Sequence, residues 1–303
     1  MTAATIDGAP PSILRSGQQS TARKLRNHLA TAMIILTVAI ALVPLYFVIA
    51  FVIRKGGATF GWSFLTQDPP ILDQLSGGGM FPAIVGTLVI TAGATLLAVP
   101  LGVLGAIYLN EYGQQRRLAR VIRFLAEIML GVPSIVMGLF VFTVITLHFK
   151  TLTGFAGSLA LACLILPIVI RTSEEMLHLV PEELREGSYA LGSRKVRTIR
   201  TVVLPNAAPG IVSGALLAVA RAAGETAPLL FVIGTVTSAN HNLFSGPNTT
   251  LSVQIFHGAT SPFVGAQDRA YASALTLVLL VFVFTGLARL VTTIFARRST
   301  AGA

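Results

Sequence analysis

Six stretches of this chain stay apolar over long distances, at about 30–53, 83–109, 126–147, 155–171, 208–235 and 271–296, and polar or charged residues separate them. A helix needs roughly 20 mainly apolar residues to cross a bilayer, and these stretches meet or approach that length. The pattern predicts an all-α polytopic membrane protein with six transmembrane helices and both termini on one side. Pro44, Pro100, Pro167 and Pro228 lie inside the apolar stretches, where neighbouring helices can satisfy the carbonyls that proline frees. Residues 1–28 read as a mostly disordered tail, 29–298 as one transmembrane domain, and 299–303 as a short second tail. The first apolar run is too long for a signal-peptide core and lacks a small-x-small cleavage site, so it reads as an uncleaved first span.

Composition agrees with this class: 53% of the 303 residues are hydrophobic, 11% are charged and the mean hydropathy is +0.77. The net charge of +10 does not point to nucleic acid, because the basic residues fall between apolar runs rather than on one soluble face. They set orientation instead. Arg15, Arg23, Lys24 and Arg26, then Arg116, Arg117, Arg120 and Arg123, then Arg171, Arg185, Arg194, Lys195, Arg197 and Arg200, and finally Arg297 and Arg298 flank spans on the N-terminal side. Only Arg54, Lys55, Lys150 and Arg269 flank them on the other. By the positive-inside rule both termini are cytoplasmic, and lipid is the surrounding medium. The single Cys163 permits no intrachain disulfide and no metal framework. His28, His148, His178, His241 and His257 are scattered near span ends and in loops, which argues against a hydrolase buried in the membrane.

The outer loops are rich in Gly, Pro, Ser, Thr and Asn. Gly77-Gly78-Gly79 is expected to be a flexible lead-in to the second span, and no Lys-Ser or Lys-Thr follows to make it a phosphate loop. Gly210-x3-Gly214 predicts close helix packing within the chain.

The longest cytoplasmic connection, about 172–206, reads as two short helices. Pro181 suits a helix N1 position, and Glu182, Glu183 and Glu186 suit the positive end of the helix dipole. Gly192 fits just past the helix end, and a second basic helix is expected to stop at Pro205. The series Glu186-Gly187-Ser188-x3-Gly192-x9-Val202-x-Leu204-Pro205 resembles the EAA signature of bacterial ABC importer permeases, with Gly187 and Ser188 in place of two alanines and Val202 in place of isoleucine. In that family the segment forms a coupling helix that docks on a separate ATPase. The resemblance thus implies an ATPase-docking role for Glu186, Gly187, Ser188, Tyr189, Ala190, Leu191 and Gly192, with Leu204 and Pro205 closing the motif. Small residues permit close approach, and Tyr189 and Leu191 offer anchors. A capping hairpin for the helix bundle is the alternative. No Walker A motif occurs in this chain.

The fifth apolar stretch carries Ala220-Arg221-Ala222-Ala223-Gly224-Glu225-Thr226-Ala227-Pro228. Counted from Ala208 along one helix of some 28 residues, Arg221 falls near the bilayer midplane, roughly 20 Å from either end at 1.5 Å per residue. A charge there costs about 2.5–3.5 kcal/mol. Glu225, four residues on, shares its helical face and offsets that cost. One reading is a structural ion pair; the other is an anion site, since the guanidinium fork matches a tetrahedral oxyanion and stays charged. Gly224 and Pro228 predict a kink that would serve as a gate hinge, and Thr226 either satisfies a freed carbonyl or faces the pathway. Arg171 and Glu127 are weaker candidates, Arg171 also fitting a positive-inside anchor. Gly131-x-Pro133-Ser134 predicts a broken helix nearby.

Together with the coupling loop, these two motifs are most similar to the A-type permeases of phosphate-specific ABC importers, over about residues 25–298. The resemblance implies a type I, MetI-like fold. It also implies a phosphate pathway through Arg221, Glu225 and Arg171, and a related C-type permease as partner. A dimeric ATPase, itself using ATP-Mg, would dock at 182–192, this chain binding no cofactor, and an external phosphate-binding protein would dock on the outer loops. The setting is the bacterial plasma membrane. Another oxyanion such as sulfate or molybdate, or an ATP-independent transporter or channel, stays open on the residues alone.

Overall fold

A computed structural model describes residues 21–113 and 116–300, with side chains from 23 to 293; Arg15, the side chains of Arg297 and Arg298, and 301–303 lie outside the described residues. The described residues are helical, with no strand among them. In chain order the helices are α1 (Thr21–Gly56), α2 (Trp62–Thr66), α3 (Phe81–Ile107), α4 (Arg117–Gly131), α5 (Ser134–Val141), α6 (Leu147–Phe149), α7 (Gly154–His178), α8 (Glu182–Ala190), α9 (Lys195–Thr198), α10 (Leu204–Ala223), α11 (Leu229–Val232), α12 (Leu251–Thr260) and α13 (Val264–Thr300). Five continuous helical runs are long and apolar enough to cross a membrane. The sixth span is the pair α4 and α5–α6, bent by 107° between Gly131 and Ser134.

The chain forms two compact units, one ending at Phe51 and the other starting at Val52. Taken alone, the described residues of the first form a single helix with its large apolar side chains exposed. It already includes residues 21–28, which the composition had placed in a tail; no proline or glycine interrupts Thr21–Arg54 except Pro44, so helix formers carry it back through the basic cluster.

In the second unit α7 is the central pillar. It packs most extensively on α3, then on α10, and also on α4, α5 and α11, while α13 packs on α10 and α12. The core is built from small residues, among them Ala94, Ala98, Ala156, Ala160, Ala215, Ala218 and Ala222, set around Ile90, Leu161, Ile165, Val169 and Leu229. Small side chains let helix backbones approach where lipid offers no hydrophobic drive. Ser158 adds a buried hydrogen bond to the Ile90 carbonyl at 3.0 Å, fastening α7 to α3. Side chains added at Gly210 and Gly214 would run into Met176 and Thr172 of α7, so this glycine pair does pack helices within the chain.

Several boundaries differ from the hydropathy reading. Helix α7 continues to His178, well past 171, which shortens the cytoplasmic loop to about 179–194. Pro205 does not stop the second loop helix: Lys195–Ala223 is one continuous run, widened into a π turn at Ile199–Val203. There the Leu204 N–H reaches the Ile199 carbonyl five residues back. A wide turn just before proline absorbs its missing donor and its ring. The glycine triplet is an ordered turn rather than a flexible lead-in. Gly77 and Gly78 sit at φ +82° and +76°. The loop is held by the buried Arg269 guanidinium, which donates to the carbonyls of Leu75 at 2.5 Å and Asp73 at 3.2 Å.

Candidate anion pathway and coupling surface

The fifth span is broken where a kink was expected. Helix α10 ends at Ala223, the Gly224 N–H closes on the Arg221 carbonyl at 3.1 Å and the Glu225 N–H on Ala222 at 3.1 Å. The chain then turns, and Thr226 offers its carbonyl to the N–H groups of Leu229 and Leu230 as α11 begins. Pro228 has no N–H to give Gly224 and disfavours helical geometry at Ala227, while glycine is a weak helix former, so the two together terminate the helix. Ser252 of α12 pins the break by donating to the Glu225 carbonyl at 2.9 Å. Arg221 is therefore in the last helical turn rather than midway along an uninterrupted helix. Its charge there faces the negative end of the helix dipole, a favourable position that the helix count had missed.

The second break lies opposite. Val132 and Pro133 part α4 from α5, and a methyl group on Gly138 would overlap the Pro228 backbone. The two interrupted spans thus touch main chain to main chain. Beside this contact is a cavity of about 410 Å³ lined by Met129, Leu130, Val132 and Ser134 of the broken span, Leu164, Ile168, Arg171 and Thr172 of α7, and Arg221 and Glu225. Arg171, Arg221 and Glu225 are brought together here. Thr226 is not on the lining and contributes backbone to the turn instead.

Charge around the cavity is loosely paired. Arg221 Nε stands 3.8 Å from Glu225 Oε1, an ion pair across the helix break without hydrogen-bond geometry, and the two side chains are 75% and 24% exposed. Arg171 Nε donates to Glu175 at 3.1 Å, and its Nη1 lies 3.7 Å from Glu127. Arg171 also lines a second cavity of about 220 Å³ with Asn110, Arg123, Glu174, Glu175 and His178. There Arg123 Nε binds Glu174 at 2.6 Å, and its Nη2 donates to the Leu109 carbonyl at 3.1 Å. The Arg171–Glu175 pair is legible from its i, i+4 spacing. Arg123–Glu174 spans 51 positions and leaves no such mark. Among the described residues no cluster of three or more His, Cys, Asp or Glu side chains could hold a metal ion.

On the cytoplasmic side α8 starts at Glu182, one position later than expected, so that Pro181 is its N-cap residue rather than N1. It ends in a Schellman motif: the Gly192 N–H donates to Tyr189 and the Ser193 N–H to Ser188, at 2.9 and 3.1 Å. Gly192 adopts φ +77°, which explains the glycine. Glu186, Gly187, Tyr189, Ala190, Leu191 and Gly192 are exposed, Leu191 to 89%. A Cβ at Gly187 would meet nothing within 4 Å, so packing within the chain does not require this glycine. Ser188 faces inward and hydrogen-bonds Thr198 Oγ1 at 2.9 Å, away from any docking face. Leu204 and Pro205 lie in the first turn of α10, with Leu204 packed inward, and so stand apart from the exposed helix. Partial burial, and then the nearby negative charges of Glu111 and Glu182, raise the Tyr189 phenol above its ordinary pKa.

Fold and site define a membrane permease with an exposed cytoplasmic helix between spans and charged residues at a helix break. Residues 98–300 match the family described as "Binding-protein-dependent transport system inner membrane component", and the chain belongs to that family. It is 41% identical over 285 residues to the phosphate transport system permease protein PstA 1 of Mycobacterium tuberculosis (strain CDC 1551 / Oshkosh), covering 91% of each chain. It is 41% identical over 280 residues to PstA of Yersinia pestis, covering 91% of this chain and 92% of that one. The fold is similar to the inward-facing MetNI methionine ABC transporter, with a TM-score of 0.56 at 20% identity over 71% of this chain and 93% of that one. The protein is a multi-pass component of the bacterial plasma membrane that carries out transport rather than catalysis, as a MetI-like ABC importer permease working with a separate ATPase and a binding protein.

Proposed function

We propose that this chain is the A-type permease subunit of an ATP-driven importer of inorganic phosphate. The observation that carries the reading is the meeting of two broken spans beside a cavity lined by Arg171, Arg221 and Glu225. The Arg221 guanidinium makes no hydrogen bond among the described residues and is exposed within a membrane-spanning region. Facing lipid would cost it about 2.5–3.5 kcal/mol, so it faces an aqueous pathway shared with a second, C-type permease. Its free donors suit phosphate oxygens.

Glu225 supplies discrimination. Phosphate near neutral pH keeps at least one P–OH, which can donate to a carboxylate, whereas sulfate and molybdate are fully deprotonated and meet only repulsion from an acceptor-only group. This chemistry favours phosphate over the other tetrahedral anions. A dimeric ATPase, which binds ATP-Mg, grips the exposed side of α8 over 182–192, and this chain itself holds no cofactor. The external phosphate-binding protein delivers the anion at the outer loops, and alternating access moves it inward past Arg221 and Arg171.

The test is ATP-dependent phosphate uptake by proteoliposomes holding the chain with its partner permease, ATPase and binding protein. Uptake that depends on ATP and Arg221, and that excess sulfate or molybdate does not suppress, is expected. Uptake independent of Arg221, or equal suppression by sulfate, would refute the anion site as described.

A further inference from the structure

A second group of charges lies outside the anion cavity, where the second span reaches the cytoplasm. The last five residues of that span, Tyr108–Tyr112, form a π turn. Glu111 in this turn is almost wholly buried, as is Arg185 on the coupling helix α8; their side chains are 5% and 8% exposed, and Arg185 Nη2 stands 3.2 Å from Glu111 Oε1. Both terminal nitrogens of the guanidinium are further occupied. Nη1 donates to the Val180 carbonyl at 2.6 Å and to Glu182 at 3.2 Å, and Nη2 also donates to the Leu177 carbonyl at 3.0 Å. From the other flank Lys195 donates to the Glu111 carbonyl and sits 4.8 Å from the centre of the Tyr112 ring.

The same π turn touches the inner cavity. Asn110 lines it and donates to Glu111 Oε1 at 2.9 Å. The Leu109 carbonyl accepts from Arg123, which holds Glu174 on the cavity wall. One five-residue turn is thus bonded to the coupling helix on one side and to the charged wall of the inner cavity on the other. A buried ion pair adds little net stability over an apolar pair, yet it cannot be stretched without exposing an uncompensated charge. It behaves as a stiff link. The π turn carries backbone hydrogen bonds that can change register, and such turns recur at functional sites.

From this we infer that Glu111 and Arg185 are positioning residues for energy coupling: they strap the coupling helix to the foot of the second span, so that displacement of α8 by the ATPase is delivered to Asn110 and Arg123 and changes access to the inner cavity. The inference rests on the transport reading above and adds the element that transmits the stroke.

The test uses the full reconstituted complex, measuring phosphate uptake, ATP hydrolysis and ATPase co-purification on the same preparation. Glu111→Gln keeps the size and removes the charge. The expected result is normal co-purification and continuing ATP hydrolysis, with phosphate moved per ATP lowered about fivefold or more, in the range of ordinary coupling energies. A second arm replaces the strap covalently: Glu111→Cys with Arg185→Cys, in a Cys163→Ala background that removes the native thiol, joined by a short bis-maleimide. Cross-linking is expected to restore the transport-to-ATP ratio. An unchanged ratio in Glu111→Gln would overturn the inference. So would a joint loss of assembly and transport that the cross-link does not repair, since that would mark the pair as a fold contact only. A wild-type complex without ATP-driven uptake would bring down the transport reading itself, and the inference with it.

Discussion

Arg185 and Arg221 both sit at the edges of broken or joined helices, yet they are used in opposite ways. Arg185 is buried and divides its donors between two carbonyls and two carboxylates. Arg221 is largely exposed, with one carboxylate at 3.8 Å. An arginine whose donors are filled by its own chain is a fixed part of the frame. One left with empty donors in a membrane segment has a role only if something else fills them, because lipid cannot. The contrast separates framework from pathway more sharply than burial alone, and substitutions can press on it from either side.

The largest effect is expected at the open arginine. Arg221→Ala should lower phosphate uptake by at least about a hundredfold, the loss of two or more charge-assisted hydrogen bonds, while co-purification of the partner subunits is unchanged. Next is Gly192→Glu. A non-glycine residue at φ +77° is strained by roughly 1–2 kcal/mol, and a carboxylate is added to the proposed docking face. The ATPase should detach or hydrolyse ATP without transport, which pull-down and uptake measurements together would reveal. A smaller and more specific effect is expected for Glu225→Gln, which should leave assembly intact and weaken rejection of sulfate about tenfold, read as sulfate competition against labelled phosphate; one pK unit's worth of charge preference corresponds to that factor. The smallest is Arg171→Gln. Half-exposed and paired loosely with two carboxylates, Arg171 should cost only a few-fold in uptake, in keeping with the modest worth of exposed pairs. A loss as deep as that of Arg221→Ala would show Arg171 to be a principal ligand.

Much of this architecture is legible in the chain because it depends on local chemistry. The hydropathy pattern marks six spans, Gly131-x-Pro133 marks a broken helix, Gly192 marks a helix end, and Arg221 and Glu225 stand four apart. What stays hidden depends on the third dimension or on backbone variants with no composition of their own. Gly224 and Pro228 read as a kink because each alone is tolerated in membrane helices; that the two together end α10 emerges only in the fold, where Ser252 and Gly138 dock on the turn. Pro205 reads as a stop because a π turn leaves no residue signature. Ser188 reads as outward-facing until Thr198 folds back to meet it. Glu111–Arg185 and Arg123–Glu174 join residues 74 and 51 positions apart, separations at which charge pairing cannot be inferred from one sequence.

The contact of Gly138 with the Pro228 backbone has a consequence for how such a pathway can diverge. Where the walls of a passage are side chains, its bore can be widened or narrowed one substitution at a time. Here the two interrupted helices rest directly on each other's main chain, so the gauge beside the cavity is set by peptide geometry and not by any replaceable group. Charge and hydrogen-bonding character remain free to vary around a calibre that is locked, and variants of this passage should change which tetrahedral anion they accept long before they change how large an anion can pass.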